Sequence, residues 1–295
     1  MRNLFRLIAV CFLFFSLGTA WAQRDFSQAK IKAEQVRGNI YMLTGPGGNI
    51  GASVGEDGTL IIDDKFAPLA DKIRAALKSV GGGELKFILN THWHGDHTGA
   101  NPVFGPEATI LAHTNVRKRL TGELKMAGNP GQPAPKEGWP VITFDQSLSI
   151  HFNGEEINVI HFPHGHTDGD SVIFFTKSNV VHMGDDFFAG RFPFVDLGSG
   201  GDVAGLVKNI SAVIKKLPAD VKIIPGHGPL STVDDLKKYH RMLKETTEAV
   251  RRQMQAAKSL DEIKAAGLAS EWKSWGAGFI NEERWIGTIY HSYSR

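Results

Sequence analysis

The stretch Thr91-His92-Trp93-His94-Gly95-Asp96-His97 decides how this 295-residue chain is interpreted. Four side chains that can bind a metal fall within six residues, directly after an apolar run with the character of a buried strand. In an extended chain, residues two apart point the same way, so His92 and His94 can hold one ion. A turn at the glycine can then direct Asp96 and His97 toward a second ion. Burying these groups unpaired would be costly, so the stretch predicts a metal site.

Four such ligands cannot all bind one tetrahedral ion from so short a loop without severe strain, and distant ligands are therefore needed. Three candidates follow later in the chain: His166, Asp185 and His227. Each comes after a strand-like apolar run and stands beside a glycine. Loops at the ends of strands converge in sheet-based enzymes, so these residues are placed to complete the site. Imidazole nitrogen and carboxylate oxygen are donors that suit zinc.

This pattern resembles the metallo-β-lactamase superfamily, in which a His-x-His-x-Asp-His motif precedes a lone His, a lone Asp and a last His. The resemblance covers about residues 38 to 230. It implies an α/β fold, a four-layer αββα sandwich with the metals at one rim of the sheets. It also implies two zinc ions per chain, the first held by His92, His94 and His166, the second by Asp96, His97 and His227, with Asp185 bridging them.

Two close divalent ions can generate a hydroxide from shared water near neutral pH and polarise a carbonyl oxygen. Asp96 is expected to orient this nucleophile or pass on a proton, in addition to binding metal. The predicted enzyme is therefore a binuclear zinc hydrolase. It would attack a small-molecule carbonyl substrate: an ester, thioester, lactone or amide.

Several residues near the motif have two interpretations each. Asp63 ends a strand and is expected to accept an imidazole N–H and fix a ligand's orientation, whereas Asp64 is the solvent-facing alternative. Phe188 and Phe192 follow the proposed bridge and line either an apolar substrate pocket or the core. The glycine-rich loop at residues 45–49 is either a flap over the site or a hairpin turn. The remaining histidines without ligand-like spacing are interpreted as packing or surface residues: His113, His151, His161, His182, His240 and His291.

Other functions remain open. The β-lactamase subclasses that carry a ligand cysteine place it at the position of Asp185 and often have a lysine where Phe188 stands. The bridging aspartate favours thioesterase-like or lactonase-like chemistry, and β-lactamase activity is kept as an alternative. A second alternative is a mononuclear iron enzyme similar to persulfide dioxygenases. A zinc protein without catalysis is disfavoured by the complete ligand set.

The first 22 residues have the organisation of a signal peptide, with Arg2 and Arg6, an apolar run and Ala20-Trp21-Ala22. Cleavage near Ala22-Gln23 predicts a periplasmic or secreted protein without a stable membrane anchor. The chain has 33 Lys and Arg against 31 Asp and Glu, and cleavage removes two arginines, leaving a net charge near zero. Such a charge argues against a nucleic-acid partner. The single cysteine, Cys11, lies in the signal.

Residues 23–295 are predicted to form one catalytic domain with a C-terminal helical segment. Strand-like runs and helical patterns alternate along it, which indicates an α/β fold. Helices are expected over 203–217 and 234–256, the second with Ser231 as its N-cap and Asp234 three residues on. The tail from 270 to 295 is rich in Trp and Tyr and is expected to pack back on the body.

Overall fold

The computed structural model describes residues 25–124 and 132–295, so the predicted signal peptide at 1–22 lies outside the described residues. The strands are β1 Lys32–Arg37, β2 Ile40–Thr44, β3 Ile50–Gly55, β4 Gly58–Ile62, β5 Leu85–Asn90, β6 Thr109–His113, β7 Ile142–Phe144, β8 Ser147–Phe152, β9 Glu155–His161, β10 Ser171–Phe175, β11 Val180–His182 and β12 Lys222–Ile224. The α-helices are α1 Ala70–Ser79, α2 Gly95–Thr98, α3 Asn101–Phe104, α4 Thr114–Leu120, α5 Val203–Ile214, α6 Val233–Gln255, α7 Leu260–Ala266 and α8 Glu282–Tyr293. Within these two ranges, no helix combines the length and the apolar character that a membrane-spanning segment requires.

The strands form two mixed sheets. The first has seven strands in chain order from β1 to β7, antiparallel up to β4 and parallel from there on. The second has the order β12-β11-β10-β9-β8, with only the β11–β12 pair parallel. Strands β1 and β7 were not predicted, because β1 is polar and half-exposed at a sheet edge and β7 is only three residues long.

Side chains along each strand point alternately to the two faces of the sheet, and both faces are covered by other parts of the fold. In β4, Leu60 and Ile62 pack between the two sheets, whereas Ile61 packs on the outer face with α1 and α3. On the second sheet, Val181 and Ile223 face outward and pack against α5, α6 and α8. The layers therefore run helix, sheet, sheet, helix, and the predicted αββα order is confirmed.

The C-terminal segment completes the outer helical layer. Trp272, Trp285 and Ile289 are buried in the same cluster as α5 and α6, and the Trp285 Nε1–H donates to Thr246 Oγ1 at 3.0 Å. Burying each large aromatic side chain stabilises the fold by roughly 2–3 kcal/mol. The prediction that residues 270–295 pack back on the body is therefore confirmed.

The predicted N-cap of α6 is wrong by one residue. Thr232 is the N-cap: its hydroxyl accepts from the Asp235 N–H at 3.3 Å, and the Asp235 carboxylate accepts from the Thr232 N–H at 2.9 Å. Ser231 instead pairs with Ile223, with backbone bonds of 2.9 Å in both directions. That pairing keeps Ser231 extended beside β12, and the helix begins one residue later.

Candidate metal centre

Five strand ends meet at one rim of the paired sheets. Asp63 follows β4, the 91–97 stretch follows β5, and the later candidate residues follow β9, β11 and β12. Helix α2 begins at Gly95, so the chain turns directly after His94. This turn separates the four motif side chains into two pairs, as the motif predicts.

The seven predicted ligands lie in two adjacent groups. Within each group one donor atom per residue lies within 4.8 Å of the others: His92, His94, His166 and Asp185 in the first, and Asp96, His97 and His227 in the second. In the first group, His94 Nδ1 and His166 Nε2 are 2.8 Å apart. In the second, His227 Nε2 lies 3.3 Å from Asp96 Oδ2.

Asp185 stands between the groups. Its Oδ1 is 3.1 Å from His97 Nε2, and its Oδ2 is 3.6 Å from His166 Nε2 and 3.4 Å from His227 Nε2. One carboxylate thus faces imidazoles of both groups, which is the placement expected of a bridge. The short helical turn Gly184–Asp186 holds it after β11.

Hydrogen bonds orient four of the imidazoles by their outer nitrogens. Asp63 accepts from His97 Nδ1 at 2.7 Å, Asp196 from His94 Nε2 at 2.9 Å, and the Phe194 carbonyl from His166 Nδ1 at 2.7 Å. The Thr91 hydroxyl donates to Asp63 and therefore accepts from His92 Nδ1, at 3.0 Å. In a neutral ring the partner holds the outer N–H, and the inner nitrogen presents its lone pair to the centre. Burial alone would lower the pKa of His97, but Asp185 and Asp96 raise it well above its usual range, so a cation that binds there displaces a proton from this ring.

The inner atoms fit divalent cations. His92 Nε2, His97 Nε2 and Asp185 Oδ1 are buried without a hydrogen-bond partner. Buried polar atoms are normally paired, because desolvation costs roughly 1–3 kcal/mol for each unpaired group. His94 Nδ1 and His166 Nε2 also point lone pairs at each other. A set of imidazole nitrogens and carboxylate oxygens with these lone pairs converging suits zinc.

Charges in the centre keep the carboxylates ionised. Burial alone would raise the pKa of Asp185, but His227 and His97 hold it well below its usual range. Burial likewise opposes ionisation of Asp96, yet His97 and a hydrogen bond from His227 lower its pKa to about 2. Burial lowers the pKa of His166 to about 4, so its imidazole is neutral and able to bind a cation.

Asp63 lies where the sequence predicts it, but Asp64 does not. The Asp63 carboxylate accepts from the Thr91 N–H and hydroxyl as well as from His97, each at 2.7 Å. Asp64 is fully buried, not solvent-facing, and accepts from the Ala100 N–H at 3.0 Å. Burial raises the pKa of Asp64 well above its usual range. The alternation of a strand fails here because Asp63 and Lys65 both have a φ of 63°.

The loop at residues 45–49 is bonded to the centre. Gly48 N–H donates to the Asp96 carbonyl at 3.2 Å, and the buried Lys65 ammonium donates to the Gly48 carbonyl. Asn49 N–H donates to the Gly226 carbonyl at 2.7 Å, and its side-chain amide donates to Pro225 and Gly228 at 3.0 and 2.9 Å. Asn49 therefore joins this loop to the loop that carries the last histidine.

The two phenylalanines predicted to line a pocket or the core differ in position. Phe188 stacks on His227 with ring centroids 5.1 Å apart and so borders the centre. Phe192 is fully buried and stacks on Trp285 at 6.0 Å, which places it in the C-terminal core. Of the two interpretations, pocket lining and core packing, the second is therefore correct for Phe192. Phe194, two residues on, contacts the rings of His94 and His166 at 5.7 and 5.8 Å.

Sequence reasoning missed Asp196, Asn49 and Lys65. Asp196 has no spacing relation to the motif, and its role follows only from its contact with His94. The two others are buried polar residues that support backbone rather than ligands, and no sequence pattern marks them. Among the histidines interpreted as packing or surface residues, His113 and His161 stack on each other at 3.7 Å, away from both ligand groups.

A family model described as "Metallo-beta-lactamase superfamily" matches residues 38–255. The chain belongs to the metallo-beta-lactamase superfamily, whose members are hydrolases. The resemblance inferred from the motif and the fold it implies are therefore confirmed.

The chain is similar to curated enzymes of different named activities. Hydroxyacylglutathione hydrolase GloC of Haemophilus influenzae is 31% identical over 165 residues, which are 54% of this chain and 76% of that protein. The 2,4-dinitroanisole O-demethylase subunit alpha of Nocardioides sp. is 28% identical over 167 residues, 55% of this chain and 48% of that protein. The chain thus spans about half the length of the second relative.

Solved structures share the fold at low identity. The DIM-1 metallo-beta-lactamase superposes with a TM-score of 0.60 at 18% identity, covering 73% of this chain and 97% of that one. A double mutant of the sec-alkyl sulfatase PisA1 superposes with a TM-score of 0.68 at 15% identity, covering 89% of this chain and 50% of that one.

Proposed function

We propose that this protein is a binuclear zinc hydrolase that cleaves a small carbonyl substrate, an ester, thioester, lactone or amide. The observation that carries the proposal is the placement of Asp185 between two complete groups of nitrogen and oxygen donors. Two divalent ions bound there supply a nucleophile derived from water at neutral pH and a Lewis acid for the carbonyl oxygen. An exported enzyme is proposed from the composition of residues 1–22.

The carboxylates and supporting residues of the centre have different roles in this proposal. Asp185 has a side chain only 5% exposed, so it serves to join the two groups. Asp96 is 26% exposed, so solvent can reach its carboxylate, which can orient the attacking water and carry a proton. Asp63, Thr91 and Asp196 hold the imidazoles in the tautomers that present lone pairs inward.

The carbonyl substrate class is supported by two observations. An aspartate occupies the bridging position in a chain whose only cysteine lies in the first 22 residues, so no thiolate ligand is present in the centre. In addition, GloC, the relative of which the chain covers 76%, is named a hydroxyacylglutathione hydrolase, and an acylglutathione is a thioester.

A hydrolase panel tests the proposal. Zinc-loaded protein is assayed on esters, thioesters, lactones, β-lactams and phosphoesters, beside Asp96→Asn and the control Asp234→Asn. Asp234 has a 93% exposed carboxylate at the start of α6. We expect turnover of at least one carbonyl substrate, with Asp96→Asn slower by about 10²–10⁴-fold and the control unchanged.

Three outcomes would overturn the proposal or a part of it. Equal rates for Asp96→Asn and the parent would remove the assigned role of that carboxylate. Turnover confined to phosphoesters would contradict the carbonyl class. Efficient turnover of the β-lactam alone would replace the proposed substrate with the β-lactamase alternative.

A further inference from the structure

Phe279 is a largely exposed aromatic residue in the C-terminal segment. Its side chain is 71% exposed, and it is the only aromatic among the exposed large apolar residues of the part of the chain that the structure describes. A single exposed apolar side chain is common, whereas one that continues into an apolar surface beside a site can mark a binding surface. The Phe279 ring is nevertheless held in place. The Arg284 guanidinium lies 4.7 Å above it, and Arg284 Nη1 donates to the Phe279 carbonyl at 3.2 Å.

A continuous aromatic path joins Phe279 to the candidate metal centre. Its ring meets the ring of Phe194 edge to face, with centroids 6.3 Å apart. Phe194 in turn contacts His94 and His166 at 5.7 and 5.8 Å, and its carbonyl accepts from His166. The Phe192 N–H donates to the Trp275 carbonyl at 3.1 Å, which fastens this segment to the C-terminal one.

Two arginines flank the outer end of this path. Arg284 stacks on Phe279, and the aliphatic part of Arg191 lies beside Gly278, 3.5 Å from where a Cβ would stand there. Neither guanidinium has a carboxylate within 4.0 Å among the described residues. The nearby Glu282 carboxylate is engaged by the Leu268 N–H. The outer end of the path therefore carries positive charge that no carboxylate of the described residues neutralises at this distance.

These four residues are called the aromatic–arginine rim: Arg191, Phe194, Phe279 and Arg284. We propose that the rim is a substrate subsite for an aromatic or bulky apolar group that bears an anionic substituent at its outer end. The group would lie along the two phenylalanine rings while the scissile carbonyl reaches the metal ligands. This inference rests on the proposed carbonyl hydrolase function and adds the substrate class.

Selectivity between matched esters tests the rim. The substrates are 4-nitrophenyl acetate, 4-nitrophenyl phenylacetate and 4-nitrophenyl (4-carboxyphenyl)acetate, and the readout is the ratio of their kcat/KM values. The variants are Phe279→Ala, the double variant Arg191→Gln/Arg284→Gln, and Val141→Ala as control. Val141 is equally exposed, at 71%, on the strand edge before β7.

We expect Phe279→Ala to reduce the preference for phenylacetate over acetate by about 3- to 10-fold, through the lost aromatic contact. The double arginine variant is expected to reduce the preference for the carboxylated ester by about 2- to 5-fold, because exposed charge pairs are weak. Val141→Ala keeps both preferences. Raising the salt concentration should also weaken the carboxylate preference in the parent.

A binding measurement separates failure of the rim from failure of the proposed function. Phenylacetate and 4-carboxyphenylacetate are titrated into parent and variants and followed by ligand-observed NMR. If no carbonyl substrate of the hydrolase panel is turned over but Phe279→Ala weakens binding, the rim is upheld and the hydrolase proposal falls. If esters are hydrolysed and the variants keep the parent's preferences and affinities, the rim is overturned and the hydrolase proposal stands.

Discussion

Asp63 is the buried carboxylate on which both halves of the candidate metal centre depend, and replacing it by asparagine tests that dependence. Its two oxygens accept three hydrogen bonds, two from Thr91 and one from His97 Nδ1, each at 2.7 Å. In Asp63→Asn one acceptor oxygen becomes an NH₂ donor. That donor must face another donor, either Thr91 or His97.

The expected effect is a loss of metal affinity. If His97 loses its acceptor, its proton can move to Nε2, and the nitrogen that faces Asp185 then has no lone pair. Removing such a supporting partner typically costs about 10- to 100-fold in metal affinity, or about 1.4–2.7 kcal/mol. The loss should be larger for the ion at His97 than for the ion at His92, because Asp63 reaches His92 only through Thr91.

The assay is zinc competition against a chromophoric chelator, fitted for two sites, with Asp64→Asn as the matched control. Asp64 is also fully buried, but its carboxyl bonds to the Ala100 N–H at 3.0 Å rather than to an imidazole, and burial raises its pKa well above its usual range. An amide can therefore replace it with little change of shape. We expect Asp64→Asn to keep both affinities within about threefold. Unchanged zinc affinities in Asp63→Asn, or equal losses in the two variants, would refute the assigned role.

Two further predictions concern other positions. A Cβ at Gly48 would overlap the His97 ring, whereas a Cβ at Gly95 would meet no atom within 4 Å. Gly48→Ala should therefore lose the second zinc ion and most of the activity, while the control Gly95→Ala keeps both. Equal metal contents in the two variants would contradict this prediction. Burial and the neighbouring His161 lower the pKa of His113 to about 4. Below pH 6.5 the unfolded chain therefore takes up a proton at this residue that the folded chain does not. The free energy of unfolding should fall as the pH drops from 6.5 toward 4. His113→Asn offers an amide oxygen in place of the ring nitrogen that accepts from the Asn115 N–H at the start of α4. This variant should make the decline shallower in urea titrations, and parallel curves for parent and variant would contradict the prediction.

Most of the ligand set could be predicted because the sequence carries it in local patterns. Four donors in six residues directly after a strand strongly favour a metal site, and each later donor follows an apolar run. The parallel strands β4 to β7 and the β11–β12 pair bring those runs to a common rim, which makes strand ends informative. The layer order followed from the family pattern rather than from periodicity.

Residues that act through the tertiary fold could not be predicted. The buried position of Asp64 depends on two positive φ angles that end the strand at Ile62, and nothing local requires them. Asp196 lies between β11 and α5, in a segment that has no repeat or motif. Only the tertiary fold brings its carboxylate to His94. The shift of the α6 cap to Thr232 depends on the pairing of Ser231 with Ile223 of β12.

The central claim is that this chain binds two zinc ions through the two donor groups and uses them for hydrolysis. Elemental analysis of the purified, metal-reconstituted protein, made in parallel with the hydrolase assay, tests it most directly. We predict about two zinc per chain, with activity lost on chelation and restored by zinc. One iron per chain, with oxygen consumption in place of hydrolysis, would contradict the account.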